Sequence, residues 1–256
     1  MFAISETITV KPKGDRKMIY DMKYEAFREI IKRQHHTLIA GCSGSGKSVV
    51  EHILLYTMME SSPYDNLFVL IDTKRVELID FKDAPHTVKY TDDVNEVPFI
   101  LKKVQEIMDA RFQRMQAQRL KKTNEPTLWI VFDEYYDIVS QLKKSDYLPI
   151  LNRLSSAGRA AGICIILCTQ RCTRDVISGM IQGNFAVMLG LRTRTAQDSR
   201  NILGMNGCEK LPKYGKGILQ IDGINQDITI PMVRDELISE RVNAWNSINW
   251  KQIYRQ

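Results

Sequence analysis

Residues 37–50 have the sequence TLIAGCSGSGKSVV. The short apolar run at 38–40 predicts a buried strand, and the apolar spacing after Ser48 predicts a helix. The loop between them, GCSGSGKS at 41–48, fits G-x-x-x-x-G-K-[ST] at every fixed position. A glycine- and serine-rich turn that only caps a helix would share part of this pattern. The complete match, placed between a strand and a helix, favours a phosphate-binding loop.

The residue types of this loop suit a nucleoside triphosphate. Glycines let the backbone turn its N–H groups toward phosphate oxygens without a Cβ in the way, and the helix N-terminus adds donors and partial positive charge. Lys47 can reach the β- and γ-phosphates, and the Ser48 hydroxyl can ligate magnesium. The residues predicted to contact the nucleotide are Gly41, Cys42, Ser43, Gly44, Ser45, Gly46, Lys47, Ser48 and Val49.

The composition is that of a soluble globular protein, with 44% hydrophobic and 26% charged residues among 256. No apolar run approaches the roughly 18 residues needed to span a bilayer, and the N-terminal residues lack the layout of a secretory signal. We therefore expect a cytoplasmic chain without a direct membrane span. The net charge of +6 is compatible with a polyanionic partner but does not identify one. The five cysteines show no metal-ligand spacing.

Three further apolar runs predict buried strands separated by helices, which is typical of a parallel α/β sheet. We expect polar residues at the carboxyl ends of these strands to line a common site. The runs are 67–71, ending in Asp72 with Lys74 beyond it; 128–132, ending in Asp133 and Glu134; and 163–168, ending in Thr169 and Gln170.

Acidic residues after a buried strand are what a phosphate loop needs as its partner. Asp133 can hold magnesium through water, and Glu134 can orient or deprotonate the attacking water. Gln170, at the end of the next strand, could contact the γ-phosphate as a sensor. A simple hydrogen bond at the strand end is the alternative for Gln170.

The chain divides into three predicted parts. Residues 1–34 form a short strand and helix extension, residues 35–232 form the α/β core, and residues 233–256 form a helix packed on that core. Within the core, the patterns predict a long helix at about 98–122, a helix at 148–161, a strand within 179–191 and a closing hairpin around Asp222 and Gly223.

Six segments occur in one order and together resemble a known family. They are GCSGSGKSV, IDTKRVEL, VFDEYYDI, RLSSAGRAAGICIILCTQR, DVISGMIQGN and DSRNILG. They are similar to the motor domain of the FtsK/SpoIIIE DNA translocases, in the FtsK–HerA superfamily of P-loop ATPases, over about residues 37–232. The resemblance implies a RecA-like core, ATP and Mg²⁺ as cofactors, a homo-hexameric ring and double-stranded DNA threaded through it.

The chain also departs from the family pattern. Full-length family members combine the motor with a membrane anchor, a linker and a small winged-helix domain, and from its length we expect this sequence to have no room for the anchor or the winged helix. Cys172 stands after TQR, where the family usually has proline. We therefore expect a compact, free-standing motor of the kind carried by mobile elements or phages, with a relaxase or portal as a possible partner.

Ring geometry adds two sets of candidate residues. A neighbouring subunit should insert an arginine to stabilise the transferred phosphoryl group. Arg111, in a segment that resembles a family helix motif, is the first candidate and Arg159 the second, although either could instead form a structural ion pair. Candidate contacts to DNA phosphates follow the two central strands, with solvated loops as the alternative. They are Lys143, Lys144, Arg171 and Arg174.

The leading functional hypothesis is an ATP-hydrolysing motor that pumps double-stranded DNA during transfer, packaging or segregation. One alternative is a secretion-type or coupling ATPase that moves a protein or nucleoprotein. Another is a nucleotide-dependent switch that docks DNA onto a partner, which would keep Lys47 but need little hydrolysis.

Overall fold

The computed structural model describes residues 25–61, 65–231, 239–240 and 242–243. Eight strands lie within these residues and form one sheet. They are β1 Thr37–Ala40, β2 Asn66–Ile71, β3 Thr87–Thr91, β4 Thr127–Phe132, β5 Ile163–Thr169, β6 Val187–Gly190, β7 Lys216–Ile221 and β8 Ile224–Thr229.

The sheet is mostly parallel, as the sequence predicts. Its strand order is β3-β2-β4-β5-β1-β6-β7-β8. The six strands from β3 to β6 are parallel neighbours, whereas β7 and β8 are added antiparallel at one side. Ala40 pairs with Thr169 and Phe132 with Leu167, so β1, β5 and β4 end almost level at the same edge. Loops after these three strands are therefore held side by side.

Helices cover both faces of the sheet. They are α1 Glu25–Arg33, α2 Lys47–Ser61, α3 Val97–Gln118, α4 Tyr135–Gln141, α5 Lys144–Ala157, α6 Gly179–Asn184 and α7 Ala196–Leu203. None of the helices in the described residues is long and apolar enough to cross a membrane.

The core consists of two apolar layers, one on each side of the sheet. Leu38 and Ile130 belong to the layer beneath α3 and α5, whereas Ile39 and Trp129 belong to the layer beneath α1 and α2. Successive residues of a strand point to opposite faces. Both faces of these central strands are buried, which explains why their sequences are continuous apolar runs rather than alternating ones.

Several element boundaries differ from the sequence predictions. The long helix α3 ends at Gln118, because Arg119 adopts a left-handed conformation with φ of 54°. The helix predicted at 148–161 begins at Lys144 and gives way to a 3₁₀ turn at Gly158–Ala161. The predicted strand within 179–191 is confirmed as β6, but α6 precedes it. Neither α4 nor the edge strand β3 was predicted.

The predicted hairpin is confirmed. β7 pairs antiparallel with β8, and the connecting residues Asp222 and Gly223 have φ of 50° and 82°, which is the two-residue turn that matches strand twist. Of the predicted N-terminal extension, α1 is described and residues 1–24 lie outside the described residues. Most of the predicted C-terminal helix also lies outside them, although Val242 is helical and buried against the core.

Candidate functional site

The loop after β1 has the geometry of a phosphate-binding loop. Gly44 and Gly46 have φ of 72° and 94°, a region that glycine adopts without steric cost. Gly41 is needed for another reason, since a Cβ there would lie 2.7 Å from both the Leu191 Cβ and the Ser45 Oγ. The Cys42 N–H donates to the carbonyl oxygen of Arg192 at 2.8 Å. The loop is thus fixed against the end of β6 before it opens into α2.

Lys47 and Asp133 form a buried ion pair that joins this loop to the end of β4. The Lys47 Nζ donates to the Asp133 Oδ1 at 2.8 Å and to its backbone oxygen at 2.9 Å. Burial opposes the charge on Lys47, but the nearby carboxyl groups of Glu51 and Asp133 outweigh it and raise the pKa of Lys47 above its usual value. The raised pKa favours the protonated ammonium group beside these carboxylates.

Several buried oxygens near this junction have no hydrogen-bond partner among the described residues. They include the Asp133 Oδ2 and the Ser45 Oγ. Buried polar atoms in native proteins are almost always satisfied, so unpaired oxygens beside a phosphate loop fit a site that accepts a ligand. The loop supplies hydroxyl groups and a lysine, and a carboxylate lies beside it. These groups suit a triphosphate and a magnesium ion.

Glu134 is held in place by donors from two other strands. It is only 4% exposed. Its Oε1 accepts from the Thr169 Oγ1 at 2.8 Å and from the Gln170 N–H at 3.1 Å, and its Oε2 accepts from the Lys74 Nζ at 3.0 Å. The Glu134 carboxylate, just after β4, is therefore oriented by the end of β5 and by the segment after β2. It lies next to the Lys47–Asp133 pair.

Asp72 and Lys74 were both expected at the site, but the two side chains have different partners in the structure. The buried Asp72 Oδ2 accepts from the Leu78 N–H at 3.0 Å and the Tyr90 hydroxyl at 3.2 Å. Asp72 thus shapes the segment that follows β2 and ties it to β3. Lys74, in the middle of that segment, is the residue that reaches Glu134.

Gln170 lies where the sequence predicts, beside the phosphate loop. It lines a cleft of about 480 Å³ together with Cys42 and Ser43 of that loop and with Arg194 from the loop after β6. A side chain in this position can respond to a group bound in the phosphate loop. Its role as a sensor stays a prediction.

Glu51 is a site residue that the sequence reasoning missed. It lies one helical turn after Lys47 in α2 and is 1% exposed. Burial raises its pKa well above the usual value, although the Lys47 charge acts in the opposite direction. The available signal was an acidic residue within the apolar helix sequence VVEHILLY, since a buried acid usually has a neighbouring charge that explains it.

The contacts of Arg111 within its own subunit favour the structural alternative over a role in a neighbouring subunit. Its side chain is 4% exposed. Its guanidinium donates to the carbonyl oxygens of Ala161 at 2.9 Å, Gly162 at 3.2 Å and Pro126 at 2.8 Å. These carbonyls precede β5 and β4, at the sheet edge opposite the phosphate loop. Arg111 is therefore committed to joining α3 to the sheet, which corresponds to the structural alternative.

The second arginine candidate has different surroundings. Arg159 is exposed in the 3₁₀ turn before β5. Its Nη2 lies 3.3 Å from the Nε2 of His35, a contact that a long exposed side chain can exchange for another. The exposed Arg159 side chain can therefore change its contacts, whereas the buried Arg111 side chain is held by its hydrogen bonds.

The four candidate DNA contacts are exposed and lie beyond β4 and β5. Lys143 precedes α5 and Lys144 begins it, so the expected loop after Glu134 is in fact the short helix α4 followed by a tight connection. The Arg171 guanidinium lies over the Tyr136 ring at 4.6 Å from its centroid, and Arg174 lies further along the same loop. This cation–π contact places Arg171 against α4, the helix that precedes Lys143.

Comparisons with known proteins agree with this geometry. The FtsK/SpoIIIE family model matches residues 6–126. The DNA translocase FtsK of Borreliella burgdorferi is 33% identical over 87% of this chain, and the DNA translocase SpoIIIE of Bacillus subtilis is 31% identical over 80% of it. The chain contains an FtsK/SpoIIIE family domain. It spans about a third of the length of these relatives, at 31% and 29%.

A solved structure confirms the fold. The conjugation coupling protein TcpA of pCW3, in its monomer form with ATPγS, is similar with a TM-score of 0.71 at 18% identity. The similarity covers 84% of this chain and 65% of TcpA. At this level of identity the similarity establishes the P-loop ATPase fold of this FtsK/SpoIIIE domain. The RecA-like architecture predicted from the sequence is thereby confirmed.

Proposed function

We propose that this chain is an ATP-hydrolysing motor that pumps double-stranded DNA through a homo-oligomeric ring. The observation that carries the proposal is the meeting of Lys47, Asp133 and Glu134 at one edge of the sheet. Two relatives that are 33% and 31% identical to this chain over most of its length are named DNA translocases. DNA transfer, packaging and segregation are the processes that such a motor would serve.

Each site residue has its own proposed role in ATP hydrolysis. The loop from Gly41 to Ser48 would hold the triphosphate through its backbone N–H groups, and Lys47 would exchange its contact with Asp133 for phosphate oxygens. Ser48 and Asp133 would hold Mg²⁺, which neutralises phosphate charge when bound. Glu134 would orient and deprotonate the attacking water, and Gln170 would report the state of the γ-phosphate.

The ring would supply the remaining groups. Arg159 is exposed and is the arginine that we propose to act on the nucleotide of a neighbouring subunit. Lys143, Lys144, Arg171 and Arg174 form the surface that we propose for DNA. Because a translocase must hold every sequence equally, contacts to phosphates rather than to bases suit it. A hexamer is the arrangement that the family resemblance implies.

The test is the ATPase rate of the purified chain with and without duplex DNA at moderate salt. We expect duplex DNA to stimulate hydrolysis. Lys47→Ala and Glu134→Gln should each reduce the stimulated rate by a factor of about 100 or more, since each removes a group that acts in the transition state. Lys103→Ala is the matched control, because the contacts of this exposed lysine with Glu106 and the Phe99 ring lie on the surface of α3. A rate that no nucleic acid changes would exclude the motor.

The salt dependence of DNA binding gives a second, independent criterion. Contacts to phosphates release counterions, so the DNA affinity should fall steeply as the salt concentration rises. Combined substitution of Lys143 and Lys144 by alanine should flatten this dependence. An affinity that does not change with salt would contradict sequence-independent tracking of the DNA backbone.

A coupling or secretion-type ATPase is the second candidate, favoured by the similarity to a conjugation coupling protein. Such a protein would move a protein or nucleoprotein, or dock DNA onto a relaxase or portal. The same ATPase assay separates the candidates. A coupling ATPase or docking switch would hydrolyse ATP slowly with duplex DNA alone and would require its partner protein for stimulation.

A further inference from the structure

The carboxylate of Glu134 is already saturated with donors in this structure. A carboxylate group offers about four acceptor positions. On Oε1 these are filled by the Thr169 hydroxyl and the Gln170 N–H, and on Oε2 by the Lys74 ammonium at 3.0 Å and by the same Gln170 N–H at 3.2 Å. A general base must hydrogen-bond the water that it deprotonates. Glu134 therefore has to release one of these donors before it can act.

Lys74 is the donor that can be released most easily. The Thr169 hydroxyl is fully buried at the end of β5, and the Gln170 donor is a backbone N–H fixed by the same strand. Lys74, by contrast, is 31% exposed and reaches Glu134 with a long, flexible side chain. Moving the ammonium into solvent or onto another anion requires only rotamer changes, so Oε2 is the oxygen that can become available to water.

The segment that carries Lys74 is tied to the helix that follows Glu134. The Thr73 hydroxyl donates to the Asp137 Oδ2 in α4 at 2.6 Å, and Asp72 fixes the far end of the segment through the Leu78 N–H. Helix α4 also carries Tyr136, which contacts Arg171 of the proposed DNA surface. A displacement of α4 would thus act on Thr73 and move its neighbour Lys74.

We propose that Lys74 is a positioning residue that latches Glu134 in a resting state, and that rapid hydrolysis requires the ammonium group to leave Oε2. The proposal rests on the proposed ATPase function and deepens it, because it assigns to Lys74 the coupling between DNA binding and water activation. A phosphate oxyanion is the group for which Lys74 would exchange the carboxylate, and it can belong to the nucleotide or to DNA.

Lys74→Met removes the latch and keeps most of the side-chain length. We expect its basal kcat for ATP, without DNA, to rise at least threefold at unchanged KM, and the stimulation by duplex DNA to shrink correspondingly. Lys74→Arg keeps the positive charge and should raise the basal rate less than Lys74→Met does. Glu134→Gln introduced into Lys74→Met should abolish the gain, which would show that the gain acts through Glu134.

The same variants test whether DNA is the source of the phosphate that displaces Lys74 from Glu134. A wild-type kcat without DNA that equals that of Lys74→Met overturns the proposal, whether the nucleotide alone displaces Lys74 or Lys74 does not restrain Glu134. If DNA opens the latch, the two proteins reach equal rates only when duplex DNA is saturating, which is the expected result. Lys103→Met, which loses an exposed ion pair with Glu106, should behave as wild type.

Two results would overturn the latch. One is a basal kcat of Lys74→Met that equals or falls below the wild-type value while nucleotide affinity and the circular dichroism spectrum are unchanged. The other is a raised basal rate that survives Glu134→Gln. A wild-type protein that hydrolyses no ATP would instead refute the proposed function, so the two failures are distinguishable.

Discussion

At the scale of single residues, burial decides which charged groups act chemically and which hold the fold together. Lys47 and Asp133 are both almost fully buried, yet they face each other across the junction of two loops. Arg111 is equally buried, but it donates to backbone carbonyls and pairs with Glu125, away from the phosphate loop. Sequence patterns cannot separate these cases, because a lysine in a loop motif and an arginine in a helix carry no mark of what surrounds them.

His36 gives a prediction for the dependence of stability on pH. Burial, aided by the charge of Arg159, lowers its pKa to about 4, and its neutral Nδ1 accepts from the Ile165 N–H at 3.1 Å. The unfolded chain binds the proton with a pKa of about 6.5. The stabilisation is therefore complete above pH 6.5 and is lost as the pH falls toward 4, by about 1.4 kcal/mol per pH unit.

Urea unfolding of wild type and His36→Asn between pH 7 and pH 4 checks this. The asparagine keeps an acceptor near the Ile165 N–H but has no titrating group in this range. The difference in free energy of unfolding between the two proteins should shift in favour of the variant as the pH falls. A difference that stays constant over the range would contradict the prediction.

At the scale of elements, Arg111 adds polar contacts to the apolar packing of α3 on the sheet. Arg111 connects this helix to the residues that enter β4 and β5. Gly162 makes room for it, since its φ is 67° and an added Cβ would lie 3.0 Å from the Arg111 Nη1. Arg111 thus binds the residues at the amino-terminal ends of β4 and β5, whereas the candidate functional site lies at their carboxyl ends.

Arg111→Met should destabilise the fold without acting on the chemistry directly. Three carbonyl oxygens would lose a hydrogen bond and Glu125 would lose an ion-pair partner, so we expect the free energy of unfolding to fall by about 3 kcal/mol. Arg114→Met is the matched control on the same helix. It breaks an exposed pair with Glu125 and should cost less than about 1 kcal/mol. Equal losses in the two variants, measured by denaturant unfolding, would refute the structural role of Arg111.

The element scale also shows how far the sequence predicts the fold. The strands β2, β4 and β5 were predicted nearly to their ends because burial on both faces makes them continuous apolar runs. Edge strand β3 escaped prediction, since TVKYT at 87–91 is half exposed and mixed in polarity. Helix α4 was missed because its seven residues are too short for a clear helical period.

At the scale of the whole molecule, the proposed ring predicts complementation between defective subunits. Lys47→Ala subunits lack a functional site but keep Arg159, and Arg159→Ala subunits have the opposite defect. If Arg159 acts on the neighbour's nucleotide, one kind of interface in a mixed ring retains both groups. We expect the mixture to hydrolyse ATP faster than either variant alone.

The mixture of Lys47→Ala with Arg111→Met is the comparison. Because Arg111 is buried within its own subunit, its loss is not compensated by a neighbour, and this mixture should gain nothing beyond the activity that each variant retains. A lack of regained activity with Arg159→Ala, in rings shown by sedimentation to contain both subunits, would exclude Arg159 as the residue acting between subunits.

The sequence by itself determined the phosphate loop, the Asp133–Glu134 pair and the parallel α/β sheet. Each of these rests on a local rule, either a backbone turn that only glycine permits or an apolar run that only a doubly buried strand needs. Only the tertiary structure decided which charges meet. It pairs Lys74 with Glu134, brings Glu51 beside Lys47 and commits Arg111 to the fold. These contacts join residues far apart in the chain, and their energies depend on distance and burial, which the order of residues does not express.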